Sequence, residues 1–451
     1  MTYEEAEEFI NRIPRFTKKH DENTLTAYLD ALGAPDLSGS RVIHVAGTNG
    51  KGSTCCYLSH CLREAGFSTA VFLSPHLVTM RERMRYNGEM IPKEDFVRIH
   101  ERVLALSKDG GFPSPTFFEH LFLMMEVWAA EKHPDFLILE TGLGGRLDAT
   151  NSARKKDLCV LTRIGMDHMQ ILGDSLEKIA GEKAGILRPG VPAVCLDAPK
   201  EALEVFETRA KTLGAPLYVV RTEGISARPT GEGSVDFSYD FAYDNPDLGG
   251  SGAKEKRPAP VRARLFSPAL YQGENAALCA VAIQALRDLG TAIPDAALEG
   301  GLAAMRWEGR MEEVEKNFYV DGAHNGDGCR AFLESAVPLA RNRHTMLLYA
   351  AMKDKDYQNE LREIAASKVA DWVVFVPLAV SRGEDPEVLR ESASGLFSCP
   401  VTVLSKDEGA KEAVRIAERY LKKYTNSLVL AAGSLYLVGE IKEVVQHDQF
   451  R

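Results

Sequence analysis

Residues 41–66 read RVIHVAGTNGKGSTCCYLSHCLREAG, and the fold follows from how this stretch is divided. Arg41–Ala46 is apolar and β-branched, which predicts a buried strand. From Ser53 onward Leu58, Cys61, Leu62 and Ala65 recur at helical spacing, and Gly66 is placed to stop the helix. Gly47, Gly50 and Gly52 therefore lie between a strand and a helix N-terminus, where unpaired N–H groups and the helix dipole attract an anion. Lys51 adds a point charge suited to a terminal phosphate, and Ser53 an oxygen suited to Mg²⁺. Val45 occupies the place where the usual phosphate-loop spacing has its first glycine, so the match is partial. A nucleoside triphosphate loop is the expectation.

At 451 residues the chain is too long for one ordinary core, which predicts two domains or three. Apolar residues make up 45% and charged residues 26%, the balance of a soluble globular protein. No run of eighteen apolar residues occurs, which argues against a membrane span. The N-terminus, MTYEEAEEFINRIP, is acidic and amphipathic, unlike a secretory signal. Eight scattered cysteines form no Cys-x-x-Cys pair, so reduced and mostly buried thiols of a cytoplasmic protein are expected. A net charge of −10 excludes a general nucleic-acid binder and requires that anionic ligands be held by local cations.

Strand-like and helical runs alternate almost throughout, which predicts an α/β protein with mostly parallel sheets. The first series includes RVIHVA, STAVFL, FLILE, DLCVLTRI and VPAVCL, and the second FYVD, HTMLLYAA, DWVVFV, VTVLS and SLVLAAGS. The expected division is 1–305 and 306–451, with a surface hairpin and flexible tip over 230–260 that carries Lys254, Lys256 and Arg257 in a solvated loop. Four further stretches concentrate polar chemistry. Ser74–Ile91 reads as a basic loop. FLILETGLGGRLDATN ends a buried strand on Glu140, a position where Mg²⁺–nucleotide ligands tend to sit, with a structural pairing to Arg146 as the alternative. Asp167 and His168 follow another strand, with Lys183 on the next helix. YVDGAHNGDG sets Asp321, His324 and Asn325 at a strand tip of the second series.

Taken in order, GTNGKGS, SPHL, PTFFE, GLGGRLDATN, MDH, EKAGIL, DGAHN and GSLYL resemble the folylpolyglutamate synthase and dihydrofolate synthase family, within the wider Mur ligases. The resemblance covers essentially the whole chain. It implies an N-terminal ATPase domain, a smaller C-terminal Rossmann-like domain, an active site between them, and ATP-dependent amide formation between a folate-type carboxylate and L-glutamate. Thr48, Asn49, Gly50, Lys51, Gly52 and Ser53 would hold ATP, and Asn275, Arg310, Asp321 and His324 match further nucleotide positions. Ser74 and Glu140 would ligate one Mg²⁺ and His168 a second, while Lys183 matches a lysine that the family carries as a carbamate. Thr116, Phe117, Phe118 and Glu119, with Leu147, Asp148 and Ala149, match acceptor-binding positions. Lys51, Lys183 and His168 would be the catalytic set.

Three positions depart from the family pattern. Gly326 stands where proline follows DGAHN, Met311 replaces a leucine, and FTKKHDENTLTAYL lacks a Gly-Leu-x-Arg pattern associated with dihydropteroate use. Polyglutamylation of reduced folate is therefore the expected main activity, with dihydrofolate synthase as the alternative and another Mur-type ligase behind both. Lys18, Lys19 and His20 would either contact an anionic folate or form a solvated turn before a helix starting near Asn23. A monomer acting on small molecules, away from nucleic acid and membrane, is expected.

Overall fold

The computed structural model describes residues 1–14, 20–33, 37–108, 111–231, 233–244 and 258–449. Lys18, Lys19, Lys254, Lys256 and Arg257 lie outside the described residues, and with them the expected folate contacts of the first two and the loop of the other three. The chain divides into two compact units. The first comprises Met1–Ser226, Ser238–Ala263 and Glu274–Met305, and the second Ala227–Phe237, Arg264–Gly273 and Arg306–Arg451.

The first unit is built on β1 (Arg41–Ala46), β2 (Thr69–Phe72), β3 (Met84–Tyr86), β4 (Glu89–Met90), β5 (Phe136–Glu140), β6 (Leu158–Leu161), β7 (Ala193–Leu196) and β8 (Leu217–Val220). Further on come β9 (Ile225–Pro229), β10 (Val235–Tyr239), β11 (Tyr243–Asp244) and β12 (Val261–Leu265). Nine strands form one sheet in the order β11-β8-β7-β6-β1-β5-β2-β3-β4. Its central pairs, β7–β8, β6–β7, β1–β6, β1–β5 and β2–β5, are parallel. From β1 the chain builds to one side through β2 and β5 and to the other through β6, β7 and β8. The carboxyl ends of β1, β5 and β6 therefore meet at the place where doubly wound sheets bind ligands. A three-stranded sheet, β12-β10-β9, uses the stretches where the chain passes between units.

Packing explains why these segments are strands. β5 is fully buried, as is most of β1, and the Phe117–Lys132 helix that covers them is apolar nearly all round, with Phe122, Met125 and Trp128 in the core. The sequence reading of Ser74–Ile91 as a loop holds over 74–79 and fails beyond. Met80–Arg83 forms a 3₁₀ turn, and β3 and β4 form an antiparallel hairpin on the sheet edge. Met80, Met84 and Ile91 are fully buried there. The charges that suggested a solvated loop are turned inward: Glu82 accepts the N–H groups of Leu77, Val78 and Thr79, and Arg83 donates from Nε to Nδ1 of His76 at 2.8 Å. Asn87 and Gly88, both at positive φ, close the hairpin with the residue pair such turns favour.

The second unit carries β13 (Glu312–Glu315), β14 (Phe318–Val320), β15 (His344–Tyr349), β16 (Trp372–Phe375), β17 (Val401–Val403) and β18 (Ser427–Ala432) in the order β13-β14-β18-β15-β16-β17. All its pairs are parallel except β13–β14. β13, with sequence EEVE, has no apolar pattern of its own and is specified by its pairing with the buried β14. None of the eight cysteines forms a disulfide, and seven are buried. Among the described residues no helix is long and apolar enough to cross a membrane.

Candidate active site

The turn after β1 is set by two glycines with no room for a side chain. A Cβ on Gly47 would lie 1.8 Å from Oγ1 of Thr162, and one on Gly50 would lie 2.2 Å from Oδ1 of Asn275. Gly50, at φ +89°, is the N-cap of the Lys51–Glu64 helix, so Lys51 and Gly52 stand in its first turn, not in the loop before it. The loop is tied down from β6's extension. Thr48 and Asn49 donate their N–H groups to the Arg163 carbonyl at 2.9 and 3.2 Å, and Thr162 Oγ1 donates to the Asn49 carbonyl at 2.8 Å. Those two amides hold the loop's shape, which leaves anion binding to the helix's first-turn N–H groups, for which the helix has no acceptor.

Two lysines converge on one carbonyl. Lys51 Nζ donates to the Gly47 and Thr48 carbonyls, each at 3.2 Å, and Lys183 Nζ donates to the same Gly47 oxygen at 2.8 Å. Lys183 is buried, and burial first and the Lys51 charge second push its pKa down to about 7, against the pull of Asp167 and Asp148. Its neighbour Glu182 is no partner for it, because that carboxylate takes Arg146 at 2.9 and 3.1 Å. Arg146 is thereby also removed as the alternative partner of Glu140. Glu140, buried at the end of β5, accepts the Ser74 N–H on Oε2 at 2.7 Å. His168 sits at positive φ before the short Met169–Leu172 helix, its Nε2 3.9 Å from Oδ2 of Asp167 and its side chain 39% exposed.

The expected acceptor residues divide into framework and accessible groups. Thr116 is the N-cap of the Phe117–Lys132 helix, and Glu119 is spent on the cap: it is buried, accepts the N–H groups of Thr116 and His20 at 2.8 Å, and lies 2.8 Å from Nδ1 of His20. His20 is therefore turned to Glu119 through Nδ1, so it is not a solvated turn residue. Its helix runs over Glu22–Ala31, capped by Asp21. Phe117 is buried under the Arg83 guanidinium, 5.3 Å from its ring centre, and Phe118 packs against Gly142. Asp148 and Ala149 are buried, whereas Leu147 is 59% exposed.

In the second unit Asp321 follows β14 and is buried. Its Oδ2 accepts from the Tyr271 hydroxyl at 2.6 Å and from the Met311 N–H at 2.9 Å, and Oδ1 accepts from the Ala323 N–H at 2.8 Å. Burial raises its pKa, while Arg310 and these hydrogen bonds oppose the rise. Arg310 packs on Gly322, and His324 Nδ1 lies 2.7 Å from the Gly322 carbonyl. Asn325 caps the Gly326–Ala340 helix, so Gly326 stands at a first helical position that tolerates either glycine or proline. The structure thus gathers Arg310, Asp321, His324 and Asn325 at one strand tip.

Residues 45–214 match the Mur ligase middle domain and residues 309–435 the Mur ligase glutamate ligase domain. The dihydrofolate synthase/folylpolyglutamate synthase of Bacillus subtilis is 33% identical over 98% of this chain and 98% of its own. The chain belongs to the folylpolyglutamate/dihydrofolate synthase family. The human mitochondrial folylpolyglutamate synthase is 30% identical, with 77% of this chain and 60% of that protein covered. Among solved structures, E. coli FolC in complex with DHPP and ADP superposes with a TM-score of 0.81 at 26% identity, covering 100% of this chain and 99% of that one. The folylpolyglutamate synthase of Thermotoga maritima gives 0.79 at 28% identity, covering 100% and 98%.

For a member of this synthase family the donor set fits Mg²⁺. Among the described residues no group of three or more His, Cys, Asp or Glu side chains could hold a metal. Mg²⁺ needs none, since it keeps several waters and is held by one or two carboxylates together with substrate phosphates. The adjacent Glu140 and Ser74 supply that smaller set. Sequence reasoning missed Thr162 and Tyr271, and it named His20 without its partner Glu119. Each acts by hydrogen-bonding a residue far away in the chain, a pairing that leaves no mark in the local sequence.

Proposed function

We propose that this synthase joins L-glutamate to the side-chain carboxylate of a reduced folate or folylpolyglutamate, converting ATP to ADP and phosphate. The observation that carries this reading is the convergence of Lys51 and Lys183 on the Gly47 carbonyl beside the phosphate-type helix N-terminus. A carboxylate is a poor electrophile, so its oxygen first attacks the γ-phosphorus and the bridging P–O bond to ADP breaks. Two anions must approach for that step. Lys51 and the first-turn N–H groups, which hold the β- and γ-phosphates in place, offset the repulsion. The neutral amine of glutamate then attacks the acyl carbon, phosphate leaves, and the amine's surplus proton is lost to solvent or phosphate. Mg²⁺, held by Glu140 and Ser74 with a second ion at His168, would supply further positive charge at the phosphates.

Lys183 is read as a carbamate. Its amine adds to CO₂ with loss of one proton, and the anionic oxygens replace an ammonium that would repel the cations expected nearby. Leu147–Ala149 and Phe118 are assigned to the acceptor, and Asn275, Arg310, Asp321 and His324 to the nucleotide. Asn275 supports its assignment by lying against the Gly50 cap. Residues 1–305 would form the ATPase domain and 306–451 the glutamate ligase domain. The enzyme is read as a cytoplasmic monomer, in keeping with seven buried thiols and no disulfide.

A second acceptor, dihydropteroate, is favoured by one observation: the Bacillus subtilis relative carries both activities in its name. Steady-state ADP formation with glutamate and either tetrahydrofolate or dihydropteroate at matched concentrations decides between them. Faster turnover with tetrahydrofolate is expected, and dihydropteroate as the sole substrate would overturn the main reading.

A further inference from the structure

His44 lies in the middle of β1, fully buried, on the strand that leads into the phosphate loop. Its Nε2 is 2.8 Å from Oγ1 of Thr150, a residue 106 positions away. The Thr150 hydroxyl in turn donates to Oδ1 of Asp148 at 2.6 Å. A hydroxyl has one proton to give, so toward His44 the Thr150 oxygen can only accept. His44 is thereby fixed as the neutral tautomer with its proton on Nε2. Burial, and after it the charges of Lys156 and Arg188, hold the ring well below the ordinary histidine range and so keep it neutral.

The relay ends on backbone. Oδ2 of Asp148 accepts the N–H groups of Gly142 and Leu143 at 3.1 and 2.9 Å, and Oδ1 also accepts that of Thr150 at 3.1 Å. One carboxylate thus folds the 142–150 loop onto itself and presents Leu147 outward. A second buried base braces the same loop one residue further on. Lys156 donates from Nζ to Oδ1 of Asn151, whose Nδ2 donates to the Arg146 carbonyl at 3.0 Å. The loop therefore hangs largely from groups beneath the sheet's carboxyl edge, with the more exposed Arg146–Glu182 ion pair beside them.

We propose that His44 is a positioning residue for the acceptor: through Thr150 it orients Asp148, and through Asp148 it sets the course of the 142–149 loop. This rests on the reading that Leu147–Ala149 meet the folate acceptor. It also makes β1 serve two substrates, since its carboxyl end shapes the phosphate loop while its middle steadies the acceptor loop.

Thr150→Val keeps the side-chain volume and cuts the relay at its centre. Losing one buried hydrogen bond of this kind is expected to raise KM for tetrahydrofolate about tenfold and to speed amide exchange at Gly142 and Leu143 by about the same factor, with KM for ATP within about twofold of wild type. Thr150→Ser should restore both readouts, and His44→Gln, which can place an N–H near the Nε2 position, should recover part of what His44→Ala loses. The double variant His44→Ala/Thr150→Val should be no worse than the more damaged single variant, as expected for groups in one chain of hydrogen bonds. Unchanged exchange at Gly142 and Leu143 in Thr150→Val overturns the relay. Leu147→Ala separates the remaining cases. A raised acceptor KM in Leu147→Ala with a wild-type KM in Thr150→Val overturns the positioning role. A wild-type KM in both overturns the assignment of the loop to the acceptor, and the proposal with it.

Discussion

Lys51 and Lys183 share a carbonyl but not a role, and substitution separates them. Lys51→Ala should lower turnover by on the order of 10²-fold, the scale for losing one preorganised electrostatic contact to a reacting group. Folding should be spared, because alanine suits the first turn of a helix, and circular dichroism with a thermal melt checks this. For Lys183 the expected signature is chemical. Its pKa near 7 means that the amine is mostly neutral only above that pH, so carbamate formation should weaken as pH falls through 7. Carbon-13 NMR of enzyme equilibrated with labelled bicarbonate should show a carbamate signal at pH 8 that fades by pH 6 and is absent from Lys183→Ala. An unmodified amine in active, bicarbonate-supplied enzyme would count against the carbamate. Glycines and a strand tip mark the phosphate loop and Glu140 locally, whereas Lys183 was legible only through the match of EKAGIL to the family's pattern. His44, Thr162 and Tyr271 were not, since their partners lie 106, 113 and 50 residues away and pairing at such range leaves no local pattern.

Among elements, the Phe117–Lys132 helix holds an unusual carboxylate. Glu126 is buried, its Oε1 has no hydrogen-bond partner, and burial raises its pKa to about 7. The sign follows from proton binding: the unfolded chain ionises this group near 4.5 while the folded chain keeps its proton until about 7. Glu126 therefore favours folding most below pH 4.5, and that contribution is lost as pH rises through 7. The swing is on the order of 3 kcal/mol for a shift of this size. Glu126→Gln removes it, so the melting temperature of the variant relative to wild type should climb between pH 5 and pH 8. A constant difference across that range would show that Glu126 ionises normally. This helix was readable from its apolar density, whereas β3, β4 and β13 were not. Charged residues there are drawn into sheet edges by backbone pairing and by burial of a few neighbours such as Met84, which outweighs the polar appearance of the segment.

For the molecule as a whole, nucleotide should act first on the unit that owns the phosphate loop. A ligand that binds only the folded state adds about 2.7 kcal/mol at a hundredfold excess over its Kd. Mg²⁺ with ADP should accordingly raise the melting temperature, and hydrogen exchange should slow most in β1 and the Lys51–Glu64 helix. Lys51→Ala should blunt both effects. An equal shift in the variant would place the nucleotide elsewhere.

The chain's repeated passage between units also bears on how this protein can be cut. The second unit draws on Ala227–Phe237 and Arg264–Gly273 as well as on everything after Arg306. A fragment beginning at Arg306 would lack Tyr271, which donates to Asp321, and would lack the Leu270 N–H that donates to Ser335 at 2.9 Å. The complementary fragment ending at Met305 would keep strands of the β12-β10-β9 sheet without the unit that shares them. Limited proteolysis or gene splitting at that seam should therefore give poorly soluble halves that recover when mixed, and an exchange of the C-terminal unit between two synthases should succeed only when Ala227–Phe237 and Arg264–Gly273 are matched to it.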